Sequence, residues 1–166
     1  MMKAHCLSMA RYHGWAFERL LDALDGVSDG DFAADAGLFF GSLHGTLNHL
    51  LLGDLVWFGR FVGQPHPARS LAQQIEADRS ALAARVRAQA ARWIELVDGA
   101  DAALIGSRLH YANMAGTPCD TPWAATLLHV FNHGTHHRGQ MSAVLTRLGQ
   151  PAPEMDYVYF LREQGA

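Results

Sequence analysis

The chain has 166 residues, of which 49% are hydrophobic and 17% charged, and its formal net charge is -3. This length suffices to bury a core, so we expect one globular domain over residues 1–166. The charge argues against nucleic-acid binding, and no apolar run reaches the roughly 18 residues of a membrane span. The start lacks the continuous apolar core of a signal peptide. Cys6 and Cys119 are far apart and match no metal or redox spacing, so we expect two reduced thiols and a cytoplasmic protein.

The first half of the chain has the periodicity of two helices. The first is predicted over about residues 4–24 and ends at Asp25 and Gly26, where the glycine can stop the helix. A polar linker follows. The second helix is predicted to start near Ser42, a favourable N-cap residue, and to continue through Phe61.

The second half predicts two further long helices with an irregular stretch between them. One covers about residues 70–97, which are rich in helix-forming Ala, Arg and Leu. Residues 98–122 are irregular, with a possible hairpin around residues 114–117. The last long helix starts after Thr121 as cap and Pro122 in the first turn, and ends near residues 148–149. The tail has room for one short helix. We therefore predict an all-α four-helix bundle with a short irregular or hairpin insertion before the fourth helix.

The fourth helix contains the unusual stretch LLHVFNHGTHHRGQ, residues 127–140, with four of the ten histidines of the chain. At about 100° per residue, His133 and His137 lie beside the apolar stripe of the helix, whereas His129 and His136 lie further from it. The inward pair has the i, i+4 spacing that lets two imidazoles share a metal ion. The same spacing would also occur in a buried, hydrogen-bonded pair. We interpret His129 and His136 as surface or supporting residues.

A third ligand has to come from another helix, and the second helix offers two histidines. His49 is in the middle of this mostly apolar helix and is expected to project into the bundle, whereas His44 is nearer the helix start and more exposed. Asp54 is a carboxylate among apolar residues. We interpret it as paired with an arginine or histidine of a neighbouring helix, in preference to a catalytic base.

Three segments together resemble the DinB/YfiT-like family of metalloenzymes. They are ARYHGWAFERLLDAL, FFGSLHGTLNHLLLGDLVWFGRF (residues 39–61) and the stretch of residues 121–161 around NHGTHHRGQ. The resemblance covers nearly the whole chain. It implies a four-helix bundle, often a homodimer, with a divalent metal held by three histidines, here His49, His133 and His137. Characterised relatives imply thiol-dependent chemistry, in which a low-molecular-weight thiol such as bacillithiol is added to electrophiles or mycothiol supports an isomerisation.

Three neutral imidazoles would leave a divalent ion, zinc or nickel in our expectation, with an open coordination position. Such a position could activate a thiol as thiolate or a water molecule as hydroxide. We favour a metal-dependent transferase that adds a low-molecular-weight thiol to small electrophiles. The alternatives are a metal-dependent hydrolase and a non-enzymatic, stress-induced metal-binding bundle. His129, His136 and Asp54 are possible bases without an assignment, and Arg138 is expected to anchor its helix or a dimer partner.

Overall fold

The computed structural model describes residues 1–165 and confirms the all-α bundle with a hairpin insertion. Its long helices are α1 (Met2–Asp25), α3 (Leu43–Phe61), α4 (Arg79–Gly99) and α6 (Trp123–Arg147). Its short helices are α2 (Asp29–Ala33), α5 (Ala102–Ile105) and α7 (Tyr157–Glu163). Strands β1 (Arg108–Ala112) and β2 (Pro118–Pro122) form an antiparallel hairpin at the predicted place. Within residues 1–165, none of the helices has an apolar stretch long enough to cross a membrane.

The four long helices pack with an order that differs from their order in the chain. Helix α1 packs against α4 and α6, and α3 packs against the same two helices. The first two long helices, α1 and α3, therefore lie diagonally opposite each other in the bundle. The other two, α4 and α6, occupy the second diagonal. Each diagonal step needs a long connection, and the two polar stretches of residues 26–42 and 100–122 supply them.

A layer of polar side chains divides the apolar core into two halves. One half contains Phe17, Leu20, Leu47, Leu51, Met141 and Leu145. The other half contains Ala10, Phe58, Trp93, Leu127 and Phe131. Between these positions, α1 contributes His13, α3 contributes Asp54, and α6 contributes residues 133–138, so the unusual histidine stretch lies at the middle height of the bundle.

The predicted start of the third long helix was wrong by nine residues. The prediction began at residue 70, whereas α4 begins at Arg79. Asp78 is the N-cap, and its carboxylate accepts a hydrogen bond of 2.7 Å from the backbone N–H of Ala81. An Asp at this position satisfies a free N–H of the first turn and stabilises the helix start.

Residues 70–78 are held in a non-helical conformation by the side chain of Asn48 on α3. The Asn48 Oδ1 atom accepts hydrogen bonds from the backbone N–H groups of Ile75 (2.8 Å) and Glu76 (3.0 Å). Its Nδ2 atom donates to the Glu76 carbonyl at 3.0 Å. These tertiary hydrogen bonds occupy backbone groups that a longer α4 would need, and they override the helical propensity of the segment.

The start of α6 also differs from the prediction, whereas its end is confirmed. Thr121 and Pro122 pair with β1 and are extended, so Pro122 is the N-cap and Trp123 the first helical residue. No side chain caps the helix; the Trp123 N–H donates to the carbonyl of Ser107 instead. At the other end, Gly149 adopts a φ of 72°, which L side chains rarely adopt and which ends the helix.

Candidate metal centre

The structure brings His49, His133 and His137 together between α3 and α6. The Nε2 atom of His133 lies 3.2 Å from Nε2 of His49 and 3.1 Å from Nε2 of His137. One nitrogen from each of the three rings lies within 4.8 Å of the others. His49 and His137 are buried and His133 is half-buried, as the helix periodicity predicted for the inward pair.

Hydrogen bonds behind the rings fix which nitrogen of each imidazole points inward. The Nδ1–H of His49 donates to the carbonyl of Leu71 at 2.9 Å. The Nδ1–H of His137 donates to the Oε1 atom of Gln140 at 2.7 Å. The Nε2 atoms of both rings therefore carry lone pairs, and both face the same atom of His133. A neutral His133 has at most one N–H, so this cluster cannot satisfy all its inward nitrogens by itself.

The spacing of these nitrogens fits a divalent metal ion. Two nitrogens that each lie about 2.0–2.1 Å from a tetrahedral ion are roughly 3.3 Å apart. The observed separations of 3.1 and 3.2 Å are close to that value. Outer hydrogen bonds to a carbonyl or an amide oxygen are the usual support of histidine ligands. The residues present therefore form a histidine triad that could bind a metal.

The rings are held in the neutral state that metal binding requires. Burial, together with the neighbouring rings of His137 and His49, lowers the pKa of His133 to about 4. Burial also lowers the pKa of His49 and of His137. An imidazole binds a metal through a lone pair, so a depressed pKa keeps the ligand available near neutral pH.

A loop before α3 covers one side of the triad. The ring of Phe40 stacks on the ring of His49 with a centroid distance of 3.7 Å and lies edge-on to His137 at 5.6 Å. Gly45 makes this close approach possible, because a Cβ atom there would lie 2.1 Å from the Phe40 carbonyl oxygen. The glycine of the sequence LHGTL, Gly45, thus allows the ring of Phe40 to cover the ring of His49.

A second polar cluster, the buried network of His13, Asp54 and Arg138, lies beside the triad. The Nε2–H of His13 donates to Asp54 at 2.9 Å, and Arg138 donates to His13 Nδ1 at 3.2 Å and to Thr135 at 3.1 Å. Burial is the main cause that lowers the pKa of His13, so a neutral ring bridges a carboxylate and a guanidinium. Gly134 leaves the space that the His13 ring occupies, since a Cβ atom there would lie 2.7 Å from this ring.

This network confirms the interpretation of two residues. Asp54 is paired with a histidine of a neighbouring helix, as predicted, and Arg138 anchors its own helix within the core.

His129 and His136 are exposed, as predicted, although their rings lie 6.3 Å from His133 and 4.8 Å from His137. His44 is half-buried and contacts the Glu76 carbonyl, outside the triad.

His13, Asn48 and Gln140, three polar side chains near the triad, were assigned no role by the sequence analysis. His13 lies on α1 in the segment RYHGW, and its only signal was a polar residue within an apolar stripe. Asn48 stands next to His49 in TLNHLLL, where a polar side chain on a buried helix indicates a tertiary hydrogen bond. Gln140 follows His137 by three residues, the spacing of helix neighbours.

Comparison with known proteins agrees with this architecture. The sequence profile of the DinB family matches residues 2–166. The protein DinB of Bacillus subtilis strain 168 is 25% identical over an alignment of 166 positions, which covers 96% of this chain and 95% of that protein. The solved structure of YfiT from Bacillus subtilis, described as a probable metal-dependent hydrolase with an unusual four-helix bundle topology, is similar in fold. Its TM-score is 0.64 at 16% identity, covering 86% of this chain and 87% of YfiT. The chain is therefore a member of the DinB family.

Proposed function

We propose that this protein is a divalent-metal-dependent enzyme that adds a low-molecular-weight thiol to small electrophilic molecules, with His49, His133 and His137 as the metal ligands. The observation that carries the metal-binding part of the proposal is that the Nε2 atoms of His49 and His137 lie 3.1–3.2 Å from Nε2 of His133, with outer hydrogen bonds on the two flanking rings. A purely structural histidine cluster would satisfy these nitrogens within the protein.

His49, His133 and His137 would hold the divalent ion, which would supply Lewis acidity and favour the deprotonated form of a thiol. The chain contributes orientation: Leu71 and Gln140 fix two of the rings through their Nδ1 atoms. Phe40 closes one side of the triad, so substrates are expected to approach from another side.

The carboxylate nearest to the triad in the core favours a thiol over water as the nucleophile. Among residues 1–165 the ligand group consists of histidines alone, without a carboxylate. The nearby carboxylate of Asp54 is bound by His13 inside the core and is 4% exposed, so it is not free to take a proton from water. A thiol nucleophile would need no strong base from the chain, because a divalent ion would itself favour the thiolate.

A metal-dependent hydrolase is the second candidate. It is supported by the description of YfiT, whose fold this chain shares, and by one feature of the site. The exposed ring of His129 lies one helical turn from His133 and could accept a proton from water. A non-enzymatic metal-binding bundle would have the same ligands without turnover.

Two further expectations belong to this proposal. We propose a homodimer, on the basis of the family resemblance, and light scattering of the purified protein tests it. We also propose the cytoplasm as the compartment, because Cys6 and Cys119 are free thiols and such thiols persist in reducing environments.

The test of the metal site is metal content by mass spectrometry, on protein purified without a nickel column. We expect about one zinc or nickel ion per chain in the wild type and its loss in His133→Ala. His110→Ala is the matched control, because His110 is a histidine with a 75% exposed side chain on the hairpin. A wild type without metal that zinc and nickel cannot reload would contradict the site.

The test of the reaction is turnover of small electrophiles by the metal-loaded protein with and without an added thiol. Thiol-dependent product formation that His133→Ala abolishes would support the transferase. Equal turnover without thiol would contradict it and favour the hydrolase, and a metal-loaded protein inactive under both conditions would favour the binding bundle.

A further inference from the structure

A second polar site lies further along α3, centred on Arg60. The Arg60 guanidinium lies over the ring of Trp57, 4.3 Å from its centroid, and 4.9 Å from the centroid of the Tyr111 ring on β1. The residue is half-buried. Burial lowers the pKa of the Arg60 guanidinium, although an arginine stays charged under any physiological condition. The protein therefore holds a partly desolvated positive charge at this point.

Within residues 1–165, the half-buried Arg60 has neither an ion pair nor a hydrogen bond. The other buried or half-buried arginines of this range differ in that each has such a partner. Arg79 pairs with Asp29, Arg85 with Glu76, and the buried Arg138 binds His13 and Thr135. No nitrogen of Arg60 is fully buried without a partner, so its N–H groups reach solvent. A guanidinium stacked on aromatic faces keeps its edge free for a bidentate acceptor.

A cavity of about 260 Å³ opens at this guanidinium. Its lining includes Val56, Arg60, His66, His110, Tyr111 and Asn113. Among the described residues that line it there is no Asp or Glu. The carboxylate of the hairpin, Asp120, pairs with Arg108 at 2.6 Å and lies 3.5 Å from His110 of the lining. The lining residues themselves therefore offer donors and a positive charge, and the neighbouring carboxylate of Asp120 is paired with Arg108.

The cavity lies on the same face of α3 as the histidine triad. Residues 49, 53, 56 and 60 of α3 follow the helical repeat, and a Cβ atom on Gly53 would meet the ring of His133 at 3.6 Å. A row of neighbouring aromatic rings extends from the triad to the cavity. The His133 and His129 rings lie 6.3 Å apart, and the His129 and Trp57 rings 5.4 Å apart. Arg60 stacks on that same Trp57.

We propose that Arg60, held by Trp57 and Tyr111, is a subsite for an oxyanion group, carboxylate or phosphate, of a small molecule whose other end reaches the histidine triad. The inference rests on the proposed function for the identity of that molecule as substrate or thiol. The subsite itself rests on the unpartnered guanidinium and the cavity.

Binding of three matched probes tests the subsite by isothermal titration calorimetry: benzoate, phenyl phosphate and the neutral benzamide. We expect at least one of the two anions to bind the wild type, and benzamide to bind about tenfold or more weakly, because a charge-assisted hydrogen bond is lost. The anion that binds more tightly identifies the group as carboxylate or phosphate.

Arg60→Gln is expected to reduce anion affinity about tenfold or more and to remove the preference over benzamide. Arg162→Gln is the matched control, because Arg162 also lies over an aromatic ring, Tyr159, but is exposed and outside this cavity. Arg60→Lys keeps the charge without the planar fork and should bind anions with intermediate affinity. Helical circular dichroism checks that each variant is folded.

Any of three results would overturn the subsite. They are equal binding of benzamide and the anions, anion binding that survives in Arg60→Gln, and no anion binding to the wild type. The titrations are made on the protein with its metal and again after EDTA treatment. Binding at Arg60 should persist after EDTA, so the subsite can be supported even if no turnover is found, and it can fail while the thiol-dependent activity is present.

Discussion

The bundle contains two polar clusters at the same height, and they differ in how their donors and acceptors are matched. In the network of His13, Asp54 and Arg138, a neutral ring donates to a carboxylate and accepts from a guanidinium. In the triad of His49, His133 and His137, three Nε2 atoms face one another with at most one proton among them at neutral charge. The first cluster pairs its carboxylate and its guanidinium through His13 and leaves, within residues 1–165, only the Arg138 Nε atom without a partner, whereas the second leaves inward lone pairs that a metal ion could bind.

The hydrogen-bond partners of each nitrogen distinguish the two clusters better than burial does. His13 is fully buried and His133 only half-buried, yet both stand out as histidines in a core. The difference lies in the partners of each nitrogen, because a buried polar atom is costly unless it is bonded. The predictions below change one cluster at a time, so that each effect can be assigned to stability or to metal affinity.

The largest expected effect is on the buried network. Asp54→Ala removes the carboxylate that accepts from His13 and whose charge acts on the buried Arg138, and we expect a loss of about 3–5 kcal/mol in the free energy of unfolding. Urea denaturation measures it. Asp22→Ala is the control, since Asp22 is exposed on α1 and should change stability by less than about 0.5 kcal/mol. A similar small change in Asp54→Ala would show that the network does not stabilise the fold.

The glycine between the two clusters should be the next most sensitive position. Gly134→Ala places a Cβ atom 2.7 Å from the His13 ring and 2.8 Å from Arg138, and overpacking of this kind costs about 1–3 kcal/mol. Gly139→Ala on the same helix meets nothing within 4 Å and should stabilise the protein by about 0.5–1 kcal/mol. Thermal unfolding of the two variants should therefore shift in opposite directions, and a shift in the same direction would contradict the packing.

The triad should make the metal-free protein sensitive to acid. The pKa of His133 is about 4 in the folded state, lowered from 6.5 chiefly by burial, so between these values the unfolded chain binds a proton that the folded chain does not. The free energy of unfolding therefore falls as the pH falls through this window, by about 1–2 kcal/mol for this half-buried group.

Urea midpoints of EDTA-treated protein at pH 7 and pH 4.5 measure this loss. His133→Gln should flatten the difference between the two midpoints, whereas His110→Gln, with its exposed ring, should retain it. A wild-type difference no larger than that of His133→Gln would contradict a depressed pKa in the triad.

The smallest effect is expected from the support of a single ligand. Gln140→Ala removes the acceptor of the His137 Nδ1–H, and zinc affinity should fall about tenfold. Competition with a chromophoric chelator measures the affinity. Gln140→Glu keeps an acceptor at the same place and should bind zinc at least as tightly as the wild type, so equal losses in both variants would mean that the hydrogen bond does not orient the ring.

Much of this site could be predicted from local sequence. The long periodic fourth helix assigned His133 and His137 to the inner side because the side-chain direction on a helix depends only on residue spacing. The same reasoning predicted a histidine or arginine partner for Asp54, since a buried carboxylate must be paired. The choice of His49 came from family resemblance, and its role as a ligand stays a prediction.

Tertiary structure alone decided which residues complete each cluster. His13 meets Asp54 across 41 positions of the chain, and the Leu71 carbonyl meets His49 across 22, distances over which periodicity carries no information. Asn48 kept residues 70–78 out of α4 although their composition favours a helix. The diagonal placement of consecutive helices depends on the same long-range contacts. Local spacing determined which way the side chains face, and the packing of distant segments determined what they meet.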